Sequence, residues 1–238
     1  SRIHQFDMND KNNCMYSPDV ISFAREKGYF DGVNKDFSFA NAYAPLDFGA
    51  RRYCEARVWS YFNMFTARGN EFLPYILGDT DTPMPLFVKP DRKISVQDVK
   101  NAMRDHYEGT PLDISKDFGA GPYHTPYRLS PLSFKVGDKE YFNERPISTQ
   151  QSGFVFVAQM RSTLPDAIGG VLWFGTDDAN MTVFTPVYCC TDKVPVCYSR
   201  VDGADYITFS WNSSFWIFNW VSNMVYPRYD LMIGDVRA

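Results

Sequence analysis

The sequence is short of basic residues and of long apolar runs, and both shortages exclude classes of protein. Lys and Arg number 24 against 28 Asp and Glu, which gives a net charge of −4. Nucleic-acid-binding domains usually concentrate basic residues on one face, so we expect no nucleic-acid partner. The longest apolar stretches are about half as long as a membrane-spanning helix. We therefore expect a soluble chain without a membrane partner.

Cysteine and histidine are also too few for the common metal centres. No C-x-x-C pair occurs among Cys14, Cys54, Cys189, Cys190 and Cys197, and neither an H-E-x-x-H motif nor a phosphate-binding loop is present. We expect no metal and no cofactor. The spacing of the last three cysteines allows one disulfide in an oxidising compartment, but we favour buried free thiols.

Three short apolar runs between Glu144 and Tyr188 predict an antiparallel sheet. They cover 154–160, 171–175 and 181–188, and turn-forming residues separate them. The links are too short for crossover helices, so neighbouring strands should be antiparallel. Since odd and even positions are both apolar, we expect both faces of the sheet to be covered, as in a layered sandwich. The polar residues at the strand ends should reach a cleft, namely Thr149, Gln150, Gln151, Asp177 and Asp178.

Helix signals surround this sheet. Ser17 and Pro18 predict the start of a helix with Val20, Ile21 and Ala24 inside, and Gly28 should end it. A second helix is predicted at 49–65, with its core residues Val58, Trp59, Phe62 and Phe65. A third is predicted from the capping box at 95–98 to 108, with Val96, Val99 and Met103 inside and Asp98, Lys100 and Arg104 outside. A fourth helix is predicted at 210–226. The last is so aromatic that it should be buried on more than one side, and Pro227 should end it. The other segments are predicted as a strand at 2–6, loops at 31–46, 69–91 and 119–131, a hairpin turning at 137–138 and a turn at 202–203.

Some polar residues have both a functional and a structural interpretation. His106 and Glu108 suggest an acid–base pair, but we favour a structural role at the C-terminus of a helix. Asp177 and Asp178 can act as a carboxylate pair only within a turn, and we favour turn formation or capping. Three arginines at the start of the second helix suit a substrate carboxylate, although we favour solvated or salt-bridged side chains: Arg51, Arg52 and Arg57.

Several long segments resemble one enzyme family. They are YSPDVISFA (16–24), LFVKPDRKISVQDVK (86–100), MRDHYEGTPLD (103–113), RPISTQQSGFVF (145–156), LPDAIGGVLWFG (164–175), PVY (186–188) and FWIFN (215–219). Over nearly the whole chain, and in this order, they resemble the cysteine dipeptidases, a family that includes lactobacillar dipeptidase A and is related to the secernins.

The resemblance implies an N-terminal nucleophile hydrolase of the α+β class, with antiparallel sheets in a four-layer αββα sandwich. It also implies hydrolysis of dipeptides by a cysteine at the mature N-terminus, whose α-amino group acts as the base. Residue 1 is Ser, so we expect 1–238 to be a single domain that forms an incomplete, central part of the catalytic domain. The nucleophile would then lie on the remainder of the same polypeptide. The alternatives are Ser1 as the nucleophile, or an inert structural or interaction fragment.

The expected ligand is a dipeptide or small peptide. Thr149, Gln150 and Gln151 should hold its backbone or the developing oxyanion, and Arg145 should pair with its carboxylate. The sequence leaves open whether the chain forms a homo-oligomer. It also leaves open the compartment, a bacterial-type cytoplasm or the periplasm.

Overall fold

A computed structural model describes residues 8–128, 133–199 and 205–238. The predicted strand at 2–6, the alternative nucleophile Ser1 and the predicted turn at 202–203 lie outside these residues.

Helices and two antiparallel sheets make up the described chain, which confirms the α+β class. The α-helices are α1 Val20–Glu26, α2 Phe39–Tyr43, α3 Phe48–Ala50, α4 Ala56–Phe65, α5 Leu73–Leu77, α6 Val96–Ala102, α7 Asp166–Gly169, α8 Ser214–Val225 and α9 Tyr229–Arg237. The strands are β1 Ser133–Val136, β2 Lys139–Phe142, β3 Phe154–Met160, β4 Gly170–Thr176 and β5 Thr185–Tyr188. A π-helical segment, Arg51–Glu55, joins α3 to α4.

The predicted three-stranded sheet is confirmed, with the strand order β3-β4-β5 and antiparallel pairing throughout. The predicted hairpin is confirmed as β1 and β2, with Gly137 at a φ of +59° in its turn. The third strand of the sheet is shorter than predicted, because the chain turns through 177–184 before it pairs.

Only one face of the three-stranded sheet is buried within the described residues. Val155 and Val157 are buried, whereas Phe154 and Phe156 on the opposite face are 60% and 50% exposed. The expectation of two covered faces is therefore wrong for this part of the chain. The exposed rings stack on one another, with the ring centroids of Phe154 and Phe174 6.1 Å apart.

Helix α6 covers the buried face of the sheet. The predicted capping box at its start is confirmed, since Ser95 and Asp98 each accept a hydrogen bond from the other's backbone N–H. As the spacing predicts, Val96 and Val99 of this helix and Met103 directly after it pack against the buried cluster that contains Val155 and Val157.

The prediction that Lys100 and Arg104 of this segment face outward is wrong. Lys100 Nζ lies 3.6 Å from the centre of the Trp173 ring, and the Arg104 guanidinium lies 5.0 Å from the centre of Phe184. Both cations rest on aromatic side chains of the sheet and of the turn before β5.

Helix α1 begins later than predicted. Val20, Ile21 and Ala24 are buried as expected, and Gly28 follows the helix with a φ of +72°. Ser17 does not cap the helix, because its hydroxyl donates to the carboxylate of Asp19.

The largest core cluster surrounds Trp59 of α4. The Trp59 indole is fully buried and donates to the carbonyl of Gly69 at 2.9 Å. Phe65 is also buried, and Val58 and Phe62 pack against the cluster, which confirms the predicted core face of this helix.

Three segments predicted as loops contain short helices. Helix α2 lies within 31–46, α5 lies within 69–91, and a 3-10 helix, Phe118–Tyr123, lies within 119–131 apart from its first residue. The segment 69–91 does not simply cover the surface, because Tyr75, Ile76 and Met84 belong to the core around Trp59. Pro74 is tolerated because it occupies the first turn of α5.

The aromatic helix α8 differs from its prediction in three ways. It begins at Ser214 instead of Ser210, and Pro227 lies in a 3-10 turn that leads directly into α9. Trp220 is 48% exposed, so burial on more than one side is wrong for the described chain. No helix in the described residues has the length and hydropathy needed to cross a bilayer.

The cysteines are unpaired, as we favoured, but they are not buried. Cys54, Cys189 and Cys190 are exposed, and Cys14 and Cys197 are half-buried.

Candidate active site

The four residues predicted to bind substrate lie along one narrow cleft. Arg145, Thr149, Gln150 and Gln151 line it together with residues of the preceding loop, including Arg128. Its volume is about 20 Å³, room for about one water molecule. The cleft brings the predicted residues together but is too small for a dipeptide.

A larger cleft adjoins the narrow one, and Gln150 lines both. Its volume is about 370 Å³, within the range of small-molecule sites. We call it the Gln150 cleft, and its other lining residues are Thr125, Tyr127, Asp177, Asn219, Ser222, Asn223, Tyr226 and Pro227. Asp177 thus reaches a cleft, as predicted from its position at a strand end.

Hydrogen bonds fix the segment that carries Gln150. The Gln150 amide donates through Nε2 to the carbonyl of Arg128 at 2.7 Å. The Thr149 hydroxyl donates to Oε1 of Gln151 at 2.8 Å and accepts from the Gln151 backbone N–H at 3.2 Å. Thr149 and Gln151 therefore bind each other, while Gln150 keeps one amide N–H and its carbonyl oxygen for further bonds.

Arg145 is anchored through its backbone. Its carbonyl accepts a hydrogen bond from the Tyr107 hydroxyl at 2.6 Å. Among the described residues no carboxylate lies within 4.0 Å of its guanidinium. A cation at the edge of a cleft without a protein partner is suited to a carboxylate from a ligand.

The arginines at the start of the second helical stretch behave differently. Arg52 forms a half-buried salt bridge with Glu144 at 2.8 Å, and Arg51 pairs with Asp81. Arg57 donates to the carbonyl of Tyr53. The favoured salt-bridged interpretation is confirmed for Arg51 and Arg52.

Asp177 lies in a turn, as we favoured, with a φ of +64°. Its carboxylate accepts from the Ser222 hydroxyl at 3.0 Å and from the Asn219 amide at 3.3 Å. Burial raises the pKa of Asp177 above its ordinary value. This carboxyl therefore ties the end of β4 to α8 at the wall of the Gln150 cleft.

Asp178 is fully buried and holds three parts of the chain together. Its carboxyl accepts from the Ser148 hydroxyl at 3.1 Å, from the Asn180 backbone N–H at 3.0 Å and from the Tyr226 hydroxyl. It does not line the cleft, so the prediction that its side chain reaches the cleft is wrong.

His106 is fully buried, and it lies beyond the helix instead of at its end, because α6 stops at Ala102. Its Nδ1 lies 3.3 Å from Oε1 of Glu108, and its backbone N–H donates to Oε2 at 2.7 Å. Although burial opposes it, these hydrogen bonds hold the pKa of Glu108 below its ordinary value. The pair fixes a tight turn, in agreement with a structural role.

Asp105 precedes this pair and is also buried. Burial raises the pKa of Asp105 to about 6, although the Ser60 hydroxyl donates to its carboxyl at 2.7 Å. No group of three or more His, Cys, Asp or Glu residues suited to a metal ion occurs in the ranges that the structure describes.

The contribution of α8 to the cleft was not predicted. Asn219, Ser222 and Asn223 of α8, followed by Tyr226 directly after it, recur at helical spacing and place one polar stripe on an otherwise aromatic helix. That stripe was the available signal, because polar residues on one side of an apolar helix indicate a wet or functional face.

Comparisons with known proteins identify the family of the chain. The model of a family described as peptidase family C69 matches residues 1–238. The chain is 32% identical over 187 residues to a probable dipeptidase of Salmonella dublin, which covers 79% of this chain and 37% of that protein. It is 24% identical over 210 residues to probable dipeptidase B of Lactococcus lactis, covering 87% of this chain and 38% of that protein. It is 23% identical over 217 residues to dipeptidase A of Lactobacillus helveticus, covering 90% and 39%.

The chain thus spans less than half the length of the curated relatives that it matches. The family model nevertheless extends over every residue of the chain, with the polar cleft at 145–151 and the buried Asp178 network inside the matched range. The chain belongs to peptidase family C69.

Proposed function

We propose that this chain is part of the catalytic domain of a dipeptidase, and that its Gln150 cleft forms one wall of the substrate site. The observation that carries the proposal is the family match over the whole chain, together with relatives whose names include dipeptidase and dipeptidase A. A cleft of about 370 Å³ has the size that a dipeptide needs.

In this proposal the nucleophile is the thiol of an N-terminal cysteine that this chain does not supply. The thiolate attacks the carbonyl carbon of the peptide bond, while the α-amino group of the same cysteine takes the thiol proton. That proton passes to the leaving amine as the C–N bond breaks, and water then hydrolyses the thioester.

The cysteines of the chain support an external nucleophile. A catalytic thiol needs a base or a cation beside it. Among the described residues, one cysteine thiol forms a hydrogen bond, from Cys189 to the carbonyl of Gly170 at 3.6 Å. None of the five lines the narrow cleft or the Gln150 cleft.

The exposed sheet face supports the four-layer arrangement. Phe154, Phe156 and Phe174 form an apolar surface on the side of the sheet opposite α6. In an αββα sandwich the second sheet packs on such a surface. We propose that the described sheet and α6 are two of the four layers, within one domain that this chain does not complete.

Each predicted site residue then has a role. Arg145, which lines the adjoining narrow cleft, pairs with the substrate carboxylate, and Gln150, which lines both clefts, donates its remaining amide N–H to the substrate backbone or the oxyanion. Thr149 and Gln151 complete the set of polar contacts, and their mutual hydrogen bond keeps them ordered before substrate binds.

The test compares this polypeptide alone with the product of the complete open reading frame that contains it. We expect no hydrolysis of a dipeptide panel by this polypeptide, and hydrolysis that thiol alkylation abolishes in the complete product. In the latter, Gln150→Ala should lower kcat/KM by about 10²-fold if the amide binds the oxyanion. Asn12→Ala, which removes an exposed amide outside both clefts, is the matched control.

Two results would contradict the proposal. An unchanged kcat/KM in Gln150→Ala would remove Gln150 from the site. Turnover by this polypeptide alone would favour the second candidate, Ser1 as an N-terminal nucleophile, and Ser1→Ala would then abolish it.

A further inference from the structure

A separate cavity lies where α6, the segment 180–183 and α9 meet. Its volume is about 580 Å³, and it shares no lining residue with either cleft described above. Both charged and apolar side chains line it. Convergent polar groups in a cavity of this size can fix the orientation of a small-molecule ligand.

Two arginines on its wall have only neutral partners. Arg104 donates through Nη2 to the carbonyl of Thr182 at 3.1 Å. Arg237 donates through Nη2 to Oδ1 of Asn180 at 2.5 Å and to the Tyr229 hydroxyl at 3.3 Å. Within the described ranges neither guanidinium has a carboxylate within 4.0 Å.

The guanidinium groups of Arg104 and Arg237 repel each other electrostatically. Burial, and then the charge of Arg237, lower the pKa of Arg104 below its ordinary value. A guanidinium has five N–H groups, and most of those on Arg104 and Arg237 are left for other acceptors. An anion between them would relieve the repulsion and accept charge-assisted hydrogen bonds.

The acidic residues on the same wall do not neutralise the arginines. Asp105 accepts from Ser60, and Glu108 accepts from the backbone and ring of His106. Both carboxyls line the cavity while being held by these partners. The cavity therefore presents both signs of charge, which suits a zwitterion better than a phosphate dianion.

Apolar side chains complete the lining. Met181, Val183 and Val236 border the same cavity. A ligand that matches all of these features has a carboxylate for the arginines, an ammonium group for the acidic side and an aliphatic side chain for the apolar residues.

We infer that this cavity binds an α-amino acid with an aliphatic side chain, through a carboxylate held by Arg104 and Arg237. The inference goes beyond the proposed function, because it rests on the charges of a separate cavity and does not require peptidase activity.

Calorimetric titration of the product of the complete open reading frame with L-leucine tests the inference, because we propose that this polypeptide forms only part of a domain. We expect saturable binding, and binding at least about tenfold weaker for N-acetyl-L-leucine, which lacks the ammonium, and for L-leucinamide, which lacks the carboxylate. Inorganic phosphate should bind more weakly than L-leucine. No saturable binding of L-leucine, or tighter binding of phosphate, would overturn the inference.

Substitutions locate the site. Arg104→Gln and Arg237→Gln should each weaken L-leucine binding by about tenfold or more. Arg237 is the more exposed of the two, so Arg237→Gln serves if Arg104→Gln does not fold. Arg161→Gln removes a guanidinium that binds the carbonyl of Ile168 instead, and it should leave the affinity unchanged. Equal binding by Arg237→Gln and the unsubstituted chain would place the ligand elsewhere and refute the assignment.

Discussion

Replacing Tyr226 by Phe should destabilise the fold by about 2–3 kcal/mol. The Tyr226 hydroxyl donates to Oδ2 of Asp178, whereas the Ser148 hydroxyl and the Asn180 backbone N–H donate to Oδ1. The Asp178 side chain is fully buried, so water cannot replace the lost donor. The phenyl ring remains, and its stacking on Tyr229, at a centroid distance of 5.9 Å, should persist.

The magnitude follows from this arrangement. A hydrogen bond to a charged partner contributes about 1.5–3 kcal/mol, and a buried acceptor left without a donor costs about as much. With an m-value of about 3 kcal/mol/M for a chain of this size, the midpoint of urea unfolding should fall by about 1 M. Circular dichroism at increasing urea concentration measures this shift directly.

A matched control separates the hydroxyl from its surroundings. Tyr206 is 86% exposed, so Tyr206→Phe removes the same atom where water can hydrate the site. Its effect should stay within about 0.5 kcal/mol. If Tyr226→Phe and Tyr206→Phe shift the midpoint equally, the Asp178 network does not stabilise the fold as we argue.

Three further predictions concern other sites. Burial raises the pKa of Asp105 from 3.8 to about 6. Between these values the folded chain keeps the proton while the unfolded chain loses it, so the free energy of unfolding should fall by up to about 3 kcal/mol as the pH rises from 4 to 6. Urea titrations at each pH should show that Asp105→Asn flattens this profile. Gly69→Ala would place a Cβ 2.3 Å from the Cα of Asn63 and should cost about 1–3 kcal/mol or more in unfolding experiments, whereas Gly234→Ala in α9, with open space around it, should stabilise by up to about 1 kcal/mol; similar effects would refute the close packing at Gly69. Under the proposed dipeptidase function, Arg145→Ala in the product of the complete open reading frame should raise KM for a dipeptide about tenfold while changing kcat little, and an unchanged KM would separate Arg145 from the substrate carboxylate.

The elements that the sequence predicted correctly depend on neighbouring residues. The capping box needs only Ser95 and Asp98, three positions apart. The antiparallel order of the large sheet follows from links too short for a crossover. The hairpin turn needs Gly137 at a positive φ. In each case the physical cause lies within a few residues of its effect.

The features that were missed depend on distant contacts. Asp178 meets Ser148 and Tyr226, which lie 30 and 48 positions away. Lys100 was expected to face solvent because Lys usually does, but the ring of Trp173 attracts it. No local pattern in one sequence states which of these residues will meet.

The lining of the candidate site was predicted only in part, because some of it depends on contacts between distant residues. The run from Thr149 to Gln151 marked a strand end, and its side chains do line a cleft. The polar residues of α8 that complete the larger cleft come from about 70 positions later, and only the fold brings Asn219 and Ser222 beside Asp177.

The exposed aromatic side of the large sheet has a practical consequence for handling this polypeptide. Rings such as Phe154 and Phe156, open to solvent in the folded chain, offer a ready binding surface for environment-sensitive fluorophores. Dyes whose fluorescence increases on binding to hydrophobic surface will therefore give a high signal from the folded chain before any heating. Thermal unfolding is therefore better followed by circular dichroism or calorimetry. Low protein concentrations will limit aggregation through the exposed aromatic face of the sheet.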